Sequence, residues 1–419
     1  MARGLQPVRG THDLFGDDKR RFDHIVAAAR SVAAGYGYAP MATPAFEFTE
    51  VFRRTLGETS DIVTKEMYTF ASGSGEEVTL RPEGTAPVAR ALVSGGRLQV
   101  LPARLFYDGP MFRRERPQKG RMRQFHQVGI ELIGEPSPVG DVEVIAAGAR
   151  LLERLGLTDS VTLHLHTLGN GASRDRYRTA LVAYLDQHRG SLSADSQRRL
   201  DRNPLRVLDS KAPEDREVAD KAPRLLDHLD SDSAGFFAEV RCQLDALKIG
   251  YEIDPLLVRG LDYYMHTTFE FVTDRLGAQG AVLAGGRYDG LTERMGGPSL
   301  AGTGWAAGIE RLSMLTGDNW PAAPRPVLVA RVAEDATTQA LRCAEALRDA
   351  GVPAELALQG SLKRQLRHAD RIGARAAVLL GRRELEAGVV SVRDLDSGEQ
   401  SEIAIAQLPG HVLEMIDGG

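Results

Sequence analysis

Cysteine is nearly absent: Cys242 and Cys343 are the only two in 419 residues, and they lie far apart. No paired-Cys spacing for a structural zinc exists, and a reducing cytoplasm fits such usage. No apolar run approaches the roughly 20 residues of a membrane span, and the opening "MARGLQPVRGTHDLF" lacks the apolar core of a signal peptide. Positive charge is not in excess either, with 52 Lys and Arg against 57 Asp and Glu. That leaves nucleic acid open, because local patches bind phosphate and the total does not. There is no G-x-x-x-x-G-K-[ST], so any use of ATP proceeds without a P-loop, and no G-x-G-x-x-G supports a dinucleotide. Internal repeats and low-complexity tracts are missing too. What remains is an ordinary globular composition, 42% apolar and 26% charged, long enough for two or three domains.

Periodicity organises the chain. Phe22, Ile25, Val26, Ala29 and Val32 predict a helix over 18–34, closed by Gly35. "LPARLFYDGPMF" and "RQFHQVGIELIG" read as strands flanking "RRERPQKGRMR", residues 113–123, whose Pro117 and Gly120 mark a hairpin tip. "VEVIAAGARLLERL" reads as a helix and "VTLHLHTL" as a strand. Residues 171–240, rich in Arg, Asp, Ser and Leu, read as a helical insertion. Strand signals return at 252–272 and 279–285, and a helix follows near 304–315. "GDNWPAAPRP" is a linker by its Pro and Ala content. Beyond it "PVLVARV", "AELAL", "AAVLLG" and "GVVSVRDL" alternate with helices at about 335–349 and 361–373, which implies a small α/β domain with a mostly parallel sheet.

Chemistry-bearing residues gather in a few stretches. Splitting the strand through 121–132 by its two-residue period puts Arg121, Arg123, Phe125, Gln127, Gly129 and Glu131 on one face. Tyr107 and Arg113 share a parity on the preceding strand, and antiparallel pairing brings them to the same floor. A solvated sheet face has the same polar pattern. An aromatic ring beside cations, with a Gly leaving space, also suits a nucleobase and its phosphates. "TLRPEGTAPVAR" places Arg81, Glu83 and Thr85 before a helix, where Thr85 is either a cap or a ligand contact. "RGLDYYMHTTFEF" and "GGRYDGL" put Arg259, Asp262 and two tyrosines, then Arg287, Tyr288 and Asp289, at strand ends, as a pocket for a small polar molecule does. Arg311 follows two glycines in "GTGWAAGIERL".

Taken together these stretches resemble a class II aminoacyl-tRNA synthetase of the histidyl-tRNA synthetase family, nearly end to end. "RGTHDLF" is similar to the family's N-terminal signature. "PAFEFTEVF", "FRRERPQKGRMRQFHQVGIELIG" and "GTGWAAGIERL" resemble the three class II motifs. "LVRGLDYYMHTTFEF" and "GGRYDGL" resemble the two peptides particular to histidine enzymes, and "NPLRVLDSK" resembles part of the family's insertion. The resemblance implies an α+β catalytic domain on an antiparallel sheet (1–170 and 241–320), a helical insertion (171–240), and a C-terminal anticodon-binding α/β domain (325–419).

It also implies residue roles. Arg113 and Arg259 meet the α-phosphate of ATP as the catalytic pair, and Arg311 the γ-phosphate. Phe125 stacks on adenine, with Arg121 and Arg123 as further phosphate contacts, and Mg²⁺ bridges the phosphates. Glu83, Thr85 and Gln127 surround the histidine amino and carboxylate groups. Glu131 and Tyr264 hold the imidazole nitrogens, with Tyr263 and Tyr288 nearby. Both Tyr263 and Tyr264 reach the substrate only if the strand begins irregularly there. Met265, His266 and Trp305 depart from the family pattern. His12, His126 and His266 receive no catalytic role, because a carboxylate nucleophile needs no base.

For tRNA(His), Arg116 and Gln118 at the basic tip are the candidates, either reading a guanine or contacting phosphate. The basic run 363–375 fits the anticodon domain. The expected partners are L-histidine, ATP, tRNA(His) and a second copy in a cytoplasmic homodimer. The alternative is the non-catalytic regulatory subunit of an ATP phosphoribosyltransferase. That subunit shares the fold but lacks the C-terminal domain and the intact histidine peptides.

Overall fold

The computed structural model describes residues 5–57, 60, 62–73, 75–118, 120–208, 210, 212–257, 263–277, 280–317, 320–358 and 360–417. It divides into two compact units, Met1–Pro321 and Ala322–Gly419, with the boundary inside the expected linker.

The first unit carries strands β1 (Ala39–Met41), β2 (Phe46–Phe48), β3 (Tyr68–Ala71), β4 (Glu77–Leu80), β5 (Ala103–Phe112), β6 (Gln124–Ile133), β7 (Thr162–Thr167), β8 (Glu252–Ile253), β9 (Met265–Val272), β10 (Ala281–Arg287) and β11 (Gly302–Gly308). Its helices are α1 (Gly16–Gly35), α2 (Thr49–Leu56), α3 (Thr85–Ser94), α4 (Pro138–Arg154), α5 (Gly171–Gln187), α6 (Ala194–Arg202), α7 (Pro213–Asp220), α8 (Ser231–Ala246), α9 (Leu291–Arg294) and α10 (Ile309–Thr316). Eight strands form one sheet in the order β1-β5-β6-β11-β10-β9-β7-β8. The pairs from β5 through β7 are antiparallel, and the outermost strands β1 and β8 pair in parallel.

The two faces of this sheet differ because side chains alternate along each strand. Val128, Ile130 and Leu132 of β6 point back, with Phe106, Leu165, Phe269, Leu283 and Trp305, into a core shared with α1, α4, α8 and α10. Each fully buried side chain of this size contributes roughly 1.5–3 kcal/mol. The alternate residues Phe125, Gln127, Gly129 and Glu131 face front. Helix α1 forms because its apolar residues recur on one face and Asp17 and Asp18 lie in its first turn. Gly35 is its last residue, and the left-handed turn falls on Gly37 (φ 78°), a conformation that glycine adopts without a Cβ penalty. Trp305, the bulky departure, is accommodated because its indole Nε1 donates to Val144 O at 3.0 Å.

The stretch 252–272, which carries strand signals, contains two strands, β8 and β9. Residues 171–240 are helical, but α8 runs on to Ala246 and buries Phe237, Val240 and Leu244 in the back-face core. The Ser- and Asp-rich composition between α5 and α8 has a structural use. Asp215, fully buried, accepts from Ser193 N and from the hydroxyls of Ser193, Ser196 and Ser210. A small sheet, β2-β4-β3, stands apart. Its registers bring Phe46, Leu80 and Tyr68 into one row and Phe48, Val78 and Phe70 into the next.

The second unit contains β12 (Val327–Arg331), α11 (Thr337–Asp349), β13 (Ala354–Leu356), α12 (Leu362–Arg371), β14 (Ala376–Leu380), α13 (Arg382–Ala387), β15 (Val389–Asp394), β16 (Gln400–Ala404) and α14 (Leu408–Asp417). β13, β12 and β14 are parallel, and β15 and β16 extend the sheet antiparallel. Val327 and Val329 pack with α11 and α14, whereas Leu328 and Ala330 pack with α12. Burial on both faces explains the unbroken apolar run of β12.

Candidate active site

A cleft of about 530 Å³ opens on the front face of the eight-stranded sheet. Its floor is made by small residues: Gly304, Ala306 and Gly308 on β11 and Ala284 on β10 line it, and Gly129 of β6 lies directly opposite Ala306. The ring of Tyr107 occupies the space that side chains at Gly84 and Gly129 would need. Both positions therefore require glycine because an aromatic ring approaches the backbone.

One end of the cleft is cationic. Arg113, Arg121 and Arg311 line it with Phe125. Arg113 Nε donates to Pro82 O at 2.9 Å, and its guanidinium lies 5.2 Å from the Phe125 ring centroid. Arg121 pairs with Glu115 at 2.7 Å. Arg311 donates from Nε to Gly120 O at 3.1 Å and from Nη1 to Ala281 O at 2.6 Å. Burial, and then the charges of Arg121 and Arg113, hold Arg311 below the usual arginine value. An anion arriving among three guanidiniums relieves that repulsion.

Carboxylates and tyrosines also gather here: Glu83, Tyr263 and Tyr264 line the cleft, whereas Glu131 and Tyr288 are buried outside its lining. Glu83, 4% exposed, accepts from Thr85 N at 2.7 Å and Ala86 N at 3.0 Å. Glu83 rather than Thr85 thus satisfies the first amides of α3. The Thr85 hydroxyl is turned away, donating to Glu131 Oε1 at 2.6 Å. Tyr288 Oη donates to the other oxygen, Glu131 Oε2. Glu131 is fully buried, and burial pushes its carboxyl up to about 8 against these two bonds. Gln127 lines the cleft, with its buried Oε1 unpartnered among the described residues.

Tyr263 and Tyr264 both line the cleft, their ring centroids 4.6 Å apart. They precede β9, and the strand does begin irregularly: Arg287 pairs with Met265 while Gly286 pairs with Thr268. His266 inside this bulge has φ 46° and stacks on Phe236, with ring centroids 4.8 Å apart.

Several expected residues lie elsewhere. Arg259 and Asp262 fall outside the described residues. Arg123 is not part of the lining; its Nε donates to Glu115 O and its Nη1 to Arg9 O. The strand starts only at Gln124, so strict alternation does not extend back to it. Arg287 is no pocket residue: it is fully buried on the back of the sheet, paired with Asp141 at 3.0 Å and Asp289 at 3.1 Å. His126 contacts Glu310, through Nδ1 at 2.8 Å. Arg116 and Gln118 are exposed at the hairpin tip.

Three acids in the lining, Glu115, Glu270 and Glu310, were not foreseen. Glu115 is the lone acid of the basic run, and Glu270 shares the front-face parity of Thr268 and Val272, so both left a signal.

Known proteins give this geometry a context. A family model described as histidyl-tRNA synthetase matches residues 10–312, and one described as anticodon binding domain matches residues 326–415. A histidine–tRNA ligase of Rhodospirillum rubrum is 58% identical over 404 residues, covering 96% of this chain and 97% of that protein. One of Gluconacetobacter diazotrophicus is 55% identical over 401 residues, covering 96% of each. The crystal structure of apo histidyl-tRNA synthetase from S. aureus superposes with a TM-score of 0.81 at 32% identity, covering 97% of this chain and 99% of that one. A cleft lined by three arginines, with the hydroxyl-bound carboxylate of Glu131 buried against Gly304 of that lining, thus sits in a chain that belongs to the histidyl-tRNA synthetase family.

Proposed function

We propose that this protein activates L-histidine with ATP to histidyl-adenylate and transfers the histidyl group to tRNA(His). The observation that supports the reading is a cleft that gathers Arg113, Arg121 and Arg311 with Glu83 and Gln127, while the buried Glu131 lies against Gly304 of its lining. In the first step a histidine carboxylate oxygen forms a bond to the α-phosphorus of ATP, and the bond to the pyrophosphate oxygen breaks. In the second a ribose hydroxyl of tRNA attacks the acyl carbon and AMP leaves. The carboxylate is already ionised at neutral pH, so the first step needs no base. Positioning two anions and neutralising the transition state are the tasks, and fixed guanidiniums perform both.

Arg113 and Arg259 take the α-phosphate in this reading, and Arg311 the γ-phosphate. Phe125 stacks on adenine beneath Arg113, and Arg121 exchanges Glu115 for phosphate. Glu83 and Gln127 bind the amino and carboxylate groups, with Thr85 acting through Glu131. Glu131, Tyr264 and Tyr288 address the ring, beside Tyr263. Among the described residues no group of three His, Cys, Asp or Glu is placed to hold a metal. Glu270 and Glu310, which line the cleft, would be the carboxylates nearest a Mg²⁺ carried in on the nucleotide. When bound, the ion supplies neutralisation of phosphate charge.

The exposed Arg116 and Gln118 are assigned to the acceptor end of tRNA. Lys363, Arg364, Arg367 and Arg371, exposed on α12, are assigned to the anticodon side. A homodimer is supported by the apolar face of the small sheet, where Phe46, Phe48 and Phe70 are 57%, 53% and 48% exposed. A cytoplasmic location is in keeping with two free cysteines, and among the described residues no helix is long and apolar enough to cross a membrane. The regulatory-subunit reading is less supported, because it expects no counterpart of residues 326–415.

The test is ATP–pyrophosphate exchange with each of the twenty amino acids, followed by charging of tRNA(His). Exchange with histidine alone is expected. Folded protein that gives no exchange in Mg²⁺ would turn the assignment toward the regulatory relative.

A further inference from the structure

Two acidic side chains of the sheet region are fully buried, and they are treated in opposite ways. Asp141 of α4, on the back face, is paired with Arg287 and also accepts from Thr267 Oγ1 at 2.7 Å. Glu131, on the front face, has no cation within ion-pair distance among the described residues. Its oxygens accept from the hydroxyls of Thr85 and Tyr288, and the Tyr107 hydroxyl lies near them. Among the described residues the elements around it, Tyr263 included, offer no positive charge to balance it. Tyr107 comes from β5, Glu83 from the start of α3, Tyr288 from the end of β10, and β11 presents only Gly304. Glu83 is itself an acid, and Arg113 is turned toward Pro82 O and Phe125. A carboxylate has about four lone-pair sites, so with Tyr107 beside the two bonded hydroxyls there is room for one more donor. When protonated, it has instead one donor to give.

We infer that Glu131 and the ring of bound histidine share one titratable proton beyond the ring's own N–H, so the pocket selects a side chain that can share a proton near neutral pH. The inference rests on the histidine-activating reading above and adds a proton count to it. A protonated carboxyl facing a neutral imidazole, and a carboxylate facing imidazolium, are two descriptions of this one state. With two protons a buried imidazolium faces an uncharged acid, and with none a buried carboxylate keeps its full charge, met only by the ring N–H and neutral hydroxyls. Both arrangements leave a buried charge uncompensated. Binding is therefore strongest between the titration of free imidazole, near about 6.5, and that of Glu131 in the empty site, which burial raises to about 8. Above this window a proton must be taken up on binding, and below it one must be released.

The experiment is titration calorimetry of L-histidine into the full chain in two buffers of different ionisation enthalpy, at about pH 7 and about pH 9. Near pH 7 the two buffers should report almost no proton exchange. Near pH 9 the wild-type protein should take up about one proton more per histidine than Glu131→Gln. That subtraction removes the contribution of histidine's own amino group. Equal uptake by the two proteins overturns the inference. If Glu131→Gln does not bind, the wild-type affinity for histidine is compared with that for triazolylalanine, whose ring stays neutral in acid. Only histidine should lose about tenfold per pH unit below about pH 6, and matching acid limbs overturn the inference. Histidine binding with no proton linkage refutes this proposal alone, whereas no binding of histidine at any pH refutes the reading beneath it.

Discussion

Gly304→Ala isolates the geometry on which ring recognition depends. Gly304 has an ordinary φ, so only space decides the outcome. A Cβ there falls closer than 3.0 Å to Glu131 Oε2 and to Ile130 O. The second atom belongs to the β6–β11 ladder, where Trp305 pairs with Ile130, so the two strands must part slightly and Glu131 must move. Moving it loosens the bonds from Thr85 and Tyr288, each worth up to roughly 1.5 kcal/mol with the neutral acid that burial favours. Losing both, ~3 kcal/mol, corresponds to roughly a hundredfold in affinity at 1.4 kcal/mol per decade. Gly308→Ala is the internal control: on the same strand its Cβ meets nothing nearer than the Arg311 side chain at 3.8 Å. In ATP–pyrophosphate exchange, Gly304→Ala should raise the histidine KM by about two orders of magnitude while the ATP KM stays within about threefold. Gly308→Ala should leave the histidine KM unchanged. Melting curves confirm that both variants are folded. A normal histidine KM in Gly304→Ala, or an equal rise in both KM values, refutes the reasoning.

Asp141→Ala leaves the Arg287 guanidinium buried with Asp289 as its remaining acidic partner and should lower stability by about 3–5 kcal/mol; urea unfolding measures this, and a loss under about 1 kcal/mol contradicts the assignment of Arg287 to the scaffold. The pH dependence of Glu131 has a definite sign. Its folded value of about 8 exceeds the ordinary 4.5, so the folded state keeps a proton that the unfolded chain releases, and stability falls as pH rises across that interval. Glu131→Gln removes this loss, worth on the order of 5 kcal/mol from the two values at 1.36 kcal/mol per pH unit. The variant's melting temperature should therefore gain on wild type from about pH 5 to pH 8, and parallel melting curves contradict it. Phe48→Glu places a charge on the exposed face of the small sheet and should yield monomers of native secondary structure by sedimentation, while an unchanged mass removes that face from the interface.

The front and back of β6 were legible because a strand packed on one side has a strict two-residue period, and Val128, Ile130 and Leu132 kept to it. The same rule misplaced Arg123, because the alternation was run back into a turn that precedes the strand. Arg287 was misread for a different reason. An arginine after two glycines looks like a ligand contact, and its partner Asp141 lies far away in sequence on α4, where no local pattern announces it. Thr85 has the residue type of a cap, yet Glu83 takes the helix amides because its longer side chain folds back onto Thr85 N and Ala86 N. In the second unit the apolar strands and the two longer helices stood out by hydrophobic period. The edge strand β16 alternates exposed and half-buried residues, a pattern weaker than that of the strands beside it, and it went unread.

The floor of the cleft has a consequence for how this pocket can change. Where the wall of a binding site consists of large side chains, truncation enlarges it and admits bulkier ligands. Here Gly129 and Gly304 have no side chain left to remove, and Ala284 and Ala306 have one carbon each. Substitution at the floor can almost only fill it. A lineage or a designer seeking room for a larger amino acid must cut into the tyrosine wall of Tyr263 and Tyr264 instead, and Tyr288, packed against Tyr263, cannot be shortened without taking a hydrogen bond from Glu131. The pocket is therefore easier to narrow than to widen.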